Sequence, residues 1–188
     1  AGFMLAALCH DFGKAITTEF IKGRIHAYQH ESKGLPLVEV FLKRLAFDKH
    51  TCDYVLNLTM LHMKPNAMAA KNSSLKSMNH MFYDAVSPVD LLLLAKADAI
   101  GRGDACMREE YERDTEGILL AAYEDYKEIL KRPFVSGKDL IKAGAKPGPA
   151  FKEVLTYVTK LRLAGVDYDT QLRQAMGQYR KAVKTESN

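Results

Sequence analysis

Ser87-Pro88-Val89-Asp90-Leu91-Leu92-Leu93-Leu94-Ala95-Lys96-Ala97-Asp98 carries every signal of a helix in order. Serine caps the start, proline takes the first turn where its missing N–H costs nothing, and Asp90 faces the positive end of the helix dipole. The leucine run makes this helix central to a core, and Gly101 and Gly103 end it. Asp98 closes the most apolar helix of the chain. An unpaired carboxylate there costs roughly 2–5 kcal/mol of desolvation unless a metal or a cation meets it.

The same helical reading extends outward in both directions. Few stretches alternate with a period of two, and Leu, Ala, Lys, Glu and Met dominate. Helices are expected near 3–12, 31–45, 49–62, 73–84, 88–99, 105–130, 137–143, 148–163 and 168–183, which makes an all-α fold. Residues 104–130 read as one long exposed helix, and Arg132-Pro133 breaks it. A helical bundle over 1–132 and a small helical subdomain over 133–188 are therefore expected. Residues 1–130 carry 15 Lys/Arg and 18 Asp/Glu, whereas 131–188 carry 12 and 5, so the C-terminal part is the basic one. Such a segment suits a polyanion such as RNA, or forms a plain solvated helical face.

No apolar run is long enough to cross a bilayer, and the apolar opening lacks the basic flank of a signal peptide. Three widely spaced cysteines, Cys9, Cys52 and Cys106, argue against a disulfide framework and for a reducing cytoplasm. Cys9 reads as a small buried helix residue rather than a ligand. The chain opens inside a helix without an initiator methionine, as a fragment of a longer protein does.

Upstream, Phe3 to Leu8 leads straight into Cys9-His10-Asp11-Phe12-Gly13-Lys14. Adjacent imidazole and carboxylate groups suit a divalent ion, Gly13 lets the backbone turn, and Lys14 can meet an anion held by that ion. His30 and His62 sit at helix ends, where ligands from several helices can converge without disturbing their backbones. His26 lies four residues before His30, but Gly34 and Pro36 speak against a firm helix there. His80, between Met78 and Met81, reads as packing, and His50 has no site-like context.

His10-Asp11-x-Gly13-Lys14, His30, His62 and Asp98 together resemble the HD superfamily of metal-dependent phosphohydrolases. Longer motifs narrow the likeness to the HD domain and C-terminal region of bacterial tRNA nucleotidyltransferases, the CCA-adding enzymes and poly(A) polymerases. Tyr28-Gln29-His30-Glu31-x-x-x-Gly34 is similar to that family's aromatic-Gly-His-Glu step, with Gln29 where glycine is frequent. His62-Met63-Lys64-Pro65 is similar to its His-Met-Arg-Pro. Leu94-Ala95-Lys96-Ala97-Asp98-Ala99-x-Gly101-Arg102-Gly103 is similar to its Leu-x-x-Ala-Asp-x-x-Gly-Arg-Gly. Ser136-Gly137-Lys138-Asp139-Leu140 and Lys146-Pro147-Gly148-Pro149 resemble its C-terminal segment. Two features of the family are missing from these residues: a first metal histidine before the doublet, and the Gly-Ser and paired-carboxylate signature of the nucleotidyltransferase head.

The resemblance implies a phosphohydrolase acting on a nucleotide or an RNA end, such as a 2′,3′-cyclic phosphate or a 2′-phosphate. His10, Asp11 and Asp98, together with the histidine the family places before the doublet, would hold a divalent ion (Mg²⁺, Mn²⁺ or Ni²⁺), with His30 and His62 forming a second site or binding phosphate. Lys14, and less directly Arg102, would neutralise the phosphate. The competing expectation is a non-catalytic scaffold whose Lys138, Lys142, Lys146, Lys152 and Lys160 hold the body of a tRNA.

Overall fold

A computed structural model describes residues 2–101 and 105–186, and the side chains of these except 105–107 and 184–186. The fold is all-α with one β-hairpin. In chain order the elements are α1 (Gly2–Cys9), α2 (Lys14–Thr17), β1 (Thr18–Ile21), β2 (Arg24–Ala27), α3 (His30–Lys33), α4 (Leu35–Arg44), α5 (Lys49–Leu61), α6 (Lys64–Ala70), α7 (Leu75–Asp84) and α8 (Pro88–Gly101). α9 (Ala105–Tyr111), a π-helical segment (Glu112–Glu116), α10 (Gly117–Lys131), α11 (Gly137–Lys142), α12 (Pro149–Leu163) and α13 (Tyr168–Glu186) follow. No helix among the described residues is long and apolar enough to cross a membrane.

The chain divides into two compact units, Ala1–Ser73 with Met81–Ala121, and Ser74–His80 with Ala122–Asn188. The first is built on short buried stripes at helical spacing: Ala6 and Cys9 on α1, Val38 and Leu42 on α4, Val55, Leu58 and Leu61 on α5, and Leu91, Leu94 and Ala95 on α8. Each large aliphatic side chain buried here contributes roughly 1.5–3 kcal/mol. Ser87 caps α8 as expected, its Oγ accepting from the Asp90 amide at 3.3 Å. The Asp90 carboxylate also accepts from the Tyr54 hydroxyl at 2.7 Å, which ties α5 to α8.

The second unit has its own core of Val135, Leu140, Ala145, Val154, Val158 and Ala175. Ser136 and Asp139 form a reciprocal capping box at the start of α11. Gln171, 1 % exposed, receives the Val135 amide and donates to the Val166 carbonyl, so its amide is satisfied on both sides.

Two elements lie outside the expected helices, and two expectations need correction. Residues 18–27 form a hairpin, with Phe20 opposite Ile25 and Ile21 opposite Arg24. Its two-residue turn, Lys22-Gly23, has both φ values positive, at 50° and 79°, the geometry that matches strand twist. Four-residue strands are too short to show a period. Residues 64–70 form α6, because Pro65 sits in the first turn where proline is tolerated. The helical stretch after residue 104 is not an exposed rod: Tyr111, Leu119, Ala122, Tyr126 and Ile129 are buried. Finally, Ala122–Arg132 groups with the C-terminal unit rather than ending the first. Arg162 on α12 donates to the Leu130 carbonyl at 2.7 Å, and the Ile129 side chain lies against Gly165.

Candidate metal centre

Three helices of the first unit deliver a metal-ligand type one turn beyond their buried stripe. His10 follows Ala6 by four residues and donates its amide to the Ala6 carbonyl. His62 follows Leu58 by four and closes α5 in the same way. Asp98 follows Leu94 by four in the last turn of α8. The core therefore aims these groups inward, and the C-terminal ends of helix dipoles favour a cation among them.

His30 arrives by a different route. It opens α3 directly after the hairpin, and α2 and α3 touch backbone to backbone at Gly13 and Gly34. A Cβ on Gly34 would lie 2.7 Å from the Gly13 Cα, and a Cβ on Gly13 would strike the His30 carbonyl oxygen. Gly13 has helical dihedrals of −62° and −22°, so close approach, not a special turn, explains the glycine. Gln29 precedes His30 with φ at 61°, in the left-handed region. Glycine would meet that need without strain.

The three imidazoles share one arrangement. Nδ1 of His10 donates to the Ala7 carbonyl at 2.8 Å, Nδ1 of His30 to the Ala27 carbonyl at 2.8 Å, and Nδ1 of His62 to the Thr59 carbonyl at 2.6 Å. Each acceptor lies three residues upstream. A carbonyl can only accept, so Nδ1 of each ring carries a proton, and the neutral form of each leaves its lone pair on Nε2. Those Nε2 atoms face each other and two carboxylates. His10 Nε2 lies 3.3 Å from Asp11 Oδ2 and 3.6 Å from Asp98 Oδ1. His30 Nε2 lies 3.2 Å from Asp11 Oδ1 and 3.3 Å from His62 Nε2. Asp11 thus turns one oxygen to His10 and the other to His30. Lys14 donates to the first of these oxygens at 2.5 Å.

His62 is fully buried, and the side chains of His30 and Asp98 are each 7 % exposed. Asp11 and Asp98 hold the His10 imidazole's pKa up to about 10. Burial works to raise the Asp11 carboxyl, but His10 and Lys14 outweigh it and hold it well below the usual range. Burial pushes the His62 imidazole down, and the neighbouring His10 and His30 push it further.

The donor set fits a divalent ion. His10 Nε2 and Asp11 Oδ1 are buried atoms without a hydrogen-bond partner. Ligand atoms of His10, Asp11 and His62 all lie within 4.8 Å of one another. Two ligands each about 2.1 Å from one ion sit roughly 3.0–3.4 Å apart, the spacing seen around this ring.

All five ligand candidates come together, therefore, with Lys14 beside them. Arg102 lies outside the described residues. The discounted histidines stay apart: His26 stacks on Tyr28, His50 is exposed and His80 is half-buried. Cys9 is buried, and burial raises its thiol pKa, in keeping with a packing role. Lys138, Lys142, Lys146, Lys152 and Lys160 are all exposed on the second unit. Missed in the sequence were Asn66 and Tyr111, which line a cleft of about 370 Å³ that reaches Asp98. The Tyr111 hydroxyl donates to the Asn66 side chain at 3.0 Å, and Asn66 donates to the Ala95 carbonyl at 2.8 Å. Glu/Arg-rich surroundings hid Tyr111, and no motif marks Asn66. No family model matches the chain, and no solved structure matches it with significance.

Proposed function

We propose that this chain is a phosphohydrolase of the HD type, acting through a divalent ion on a nucleotide or RNA-end phosphate. The observation that carries the proposal is the common tautomer of His10, His30 and His62. Three rings pinned by the same kind of carbonyl contact turn three Nε2 atoms toward one another and toward Asp11 and Asp98, the way carbonyl acceptors orient imidazole ligands for a metal. His10, Asp11 and Asp98 would hold one ion, and His30 and His62, sharing Asp11, would complete a second site or hold the phosphate. A bound divalent ion supplies Lewis-acid polarisation of a phosphoryl oxygen and a water activated at neutral pH. Three imidazole donors favour Mn²⁺ or Ni²⁺ over Mg²⁺, which prefers oxygen.

The chain's own residues do the rest. Lys14, half-exposed and already against Asp11, offers a positive charge to a phosphate entering beside it. The main-chain carbonyls of Ala7, Ala27 and Thr59 hold the rings in orientation throughout. The cleft beside Asp98 gives a substrate room to approach. Free cysteines at Cys9 and Cys52 suit the reducing cytoplasm, where such substrates occur.

A second reading, a scaffold that binds tRNA without turnover, is favoured by one observation: the five lysines of the basic C-terminal unit are all exposed. Measured metal content after Mn²⁺ or Ni²⁺ loading, with hydrolysis of a 2′,3′-cyclic nucleotide, separates the two. The enzyme binds metal and turns over, and Asp11→Ala abolishes both. Absence of metal and of turnover in the wild type rejects the enzyme reading. Salt-sensitive tRNA affinity, weakened by charge reversal at Lys142 and Lys146, then supports the scaffold.

A further inference from the structure

We infer that one face of the β1–β2 hairpin binds a single RNA strand and leads its end toward the metal centre. This deepens the phosphohydrolase reading, on which its last step rests, by choosing an RNA end over a free nucleotide.

Strand register places Glu19 opposite His26 and Ile21 opposite Arg24, and side chains two apart share a face. Arg24, His26 and Tyr28 therefore follow one another along the same side. Together with Ile21 and Lys22 they line a groove of about 500 Å³. The His26 and Tyr28 rings are stacked, with centroids 5.0 Å apart and planes 14° from parallel. Tyr28 is nevertheless 63 % exposed.

A stacked pair with an open ring face is a platform for a base, since every nucleobase has a π-face to add to it. Lys22 and Arg24 sit at the far end of the groove, two cations against the single carboxylate of Glu19, where they can meet backbone phosphates. Aromatic stacking interleaved with positive charge is the chemistry of single-strand recognition, because paired bases present no free face. A protein partner seeking apolar area would find it on the other side, where Phe20 and Ile25 lie opposite each other, 76 % and 74 % exposed. The groove also has a direction. Ala27, the last residue of β2, receives the His30 Nδ1 proton. Tyr28 is thus two residues from a ligand candidate, and Lys22 is eight.

Anisotropy of a labelled single-stranded RNA decamer, with EDTA present so that no strand is cut, tests the platform directly. Tyr28→Ala and Arg24→Glu should each weaken binding about tenfold. Phe20→Ser, on the opposite face, should leave binding as in the wild type. Wild-type affinity in both groove variants overturns the inference, and so does a loss confined to Phe20→Ser, which would assign the other face to a partner.

A second arm uses the metal-loaded protein with two substrates, the decamer ending in a 2′,3′-cyclic phosphate and the 2′,3′-cyclic mononucleotide. Tyr28→Ala should raise KM for the decamer about tenfold with kcat unchanged, and leave the mononucleotide untouched. Equal effects on both substrates overturn the inference. If the wild type hydrolyses neither, the phosphohydrolase reading fails, while the anisotropy result still decides the platform.

Discussion

The Nε2 atoms of His30 and His62 lie 3.3 Å apart, while Nδ1 of each ring donates to a main-chain carbonyl. Two neutral rings held this way set lone pair against lone pair. A shared proton or a shared cation must join them. Burial pushes the His62 imidazole below its ordinary pKa, so a proton is the poorer solution.

Metal binding should therefore stabilise the fold. At an ion concentration a hundred times Kd the gain is about 2.7 kcal/mol, which for a chain of this length raises Tm by roughly 5–10 °C. Thermal melts with Mn²⁺ or Ni²⁺ and then with EDTA measure this. His62→Ala should lose most of the shift. A midpoint indifferent to metal in the wild type would sink the metal reading.

Gly13 and Gly34 should tolerate no side chain. An added methyl at either meets backbone, not a flexible side chain, so relief requires α2 and α3 to separate. Overpacking of this kind costs about 1–3 kcal/mol, and more where backbone is the obstacle. Gly13→Ala should lower Tm and weaken metal binding together, because separation carries His30 away from Asp11. A variant with wild-type stability and metal affinity would show that the contact does not position His30.

Gln29 is strained where Gly34 is crowded. Its φ of 61° costs a non-glycine residue about 1–2 kcal/mol, against about 0.5–1 kcal/mol of extra chain entropy for glycine. Gln29→Gly should stabilise the protein by roughly 0.5–1 kcal/mol, read from denaturant midpoints at unchanged slope. A loss of stability would mean that the Gln29 side chain contributes more than its backbone costs.

The metal-free protein should weaken in alkali. Asp11 and Asp98 raise the His10 pKa from 6.5 to about 10, so the attraction is complete below about pH 6.5 and is lost as pH rises through about 10. The matching share from Asp11, whose pKa is depressed despite its burial, is present above its ordinary pKa of 3.8 and is lost only in stronger acid. Melts of the EDTA-treated chain between about pH 7 and 10 should show a falling midpoint, and His10→Gln should flatten it. A metal needs the Nε2 lone pair, so metal uptake near neutral pH should release close to one proton. Calorimetry in two buffers of different ionisation heat detects that release, and identical heats would argue that His10 is not a ligand.

Read alone, the residues determined that the chain is helical and which metal-ligand types fall at helix ends or in a doublet. Ser87-Pro88 starts a helix through local capping, and a carboxylate behind Leu91–Ala95 must find a partner, whatever the rest of the chain does. His10, Asp11, His30, His62 and Asp98 are legible because each is a ligand type at a helix end or doublet. The tertiary structure alone decided how they meet. Ring tautomers depend on carbonyls that only packing brings within reach, and the contact of Gly13 with Gly34 joins segments about twenty residues apart. The hairpin was invisible because four-residue strands carry no period and its turn, Lys22-Gly23, has only half of the usual signal. The burial of Tyr111 and Ile129 was equally hidden, since charged neighbours mask a stripe until the surfaces it covers are in place.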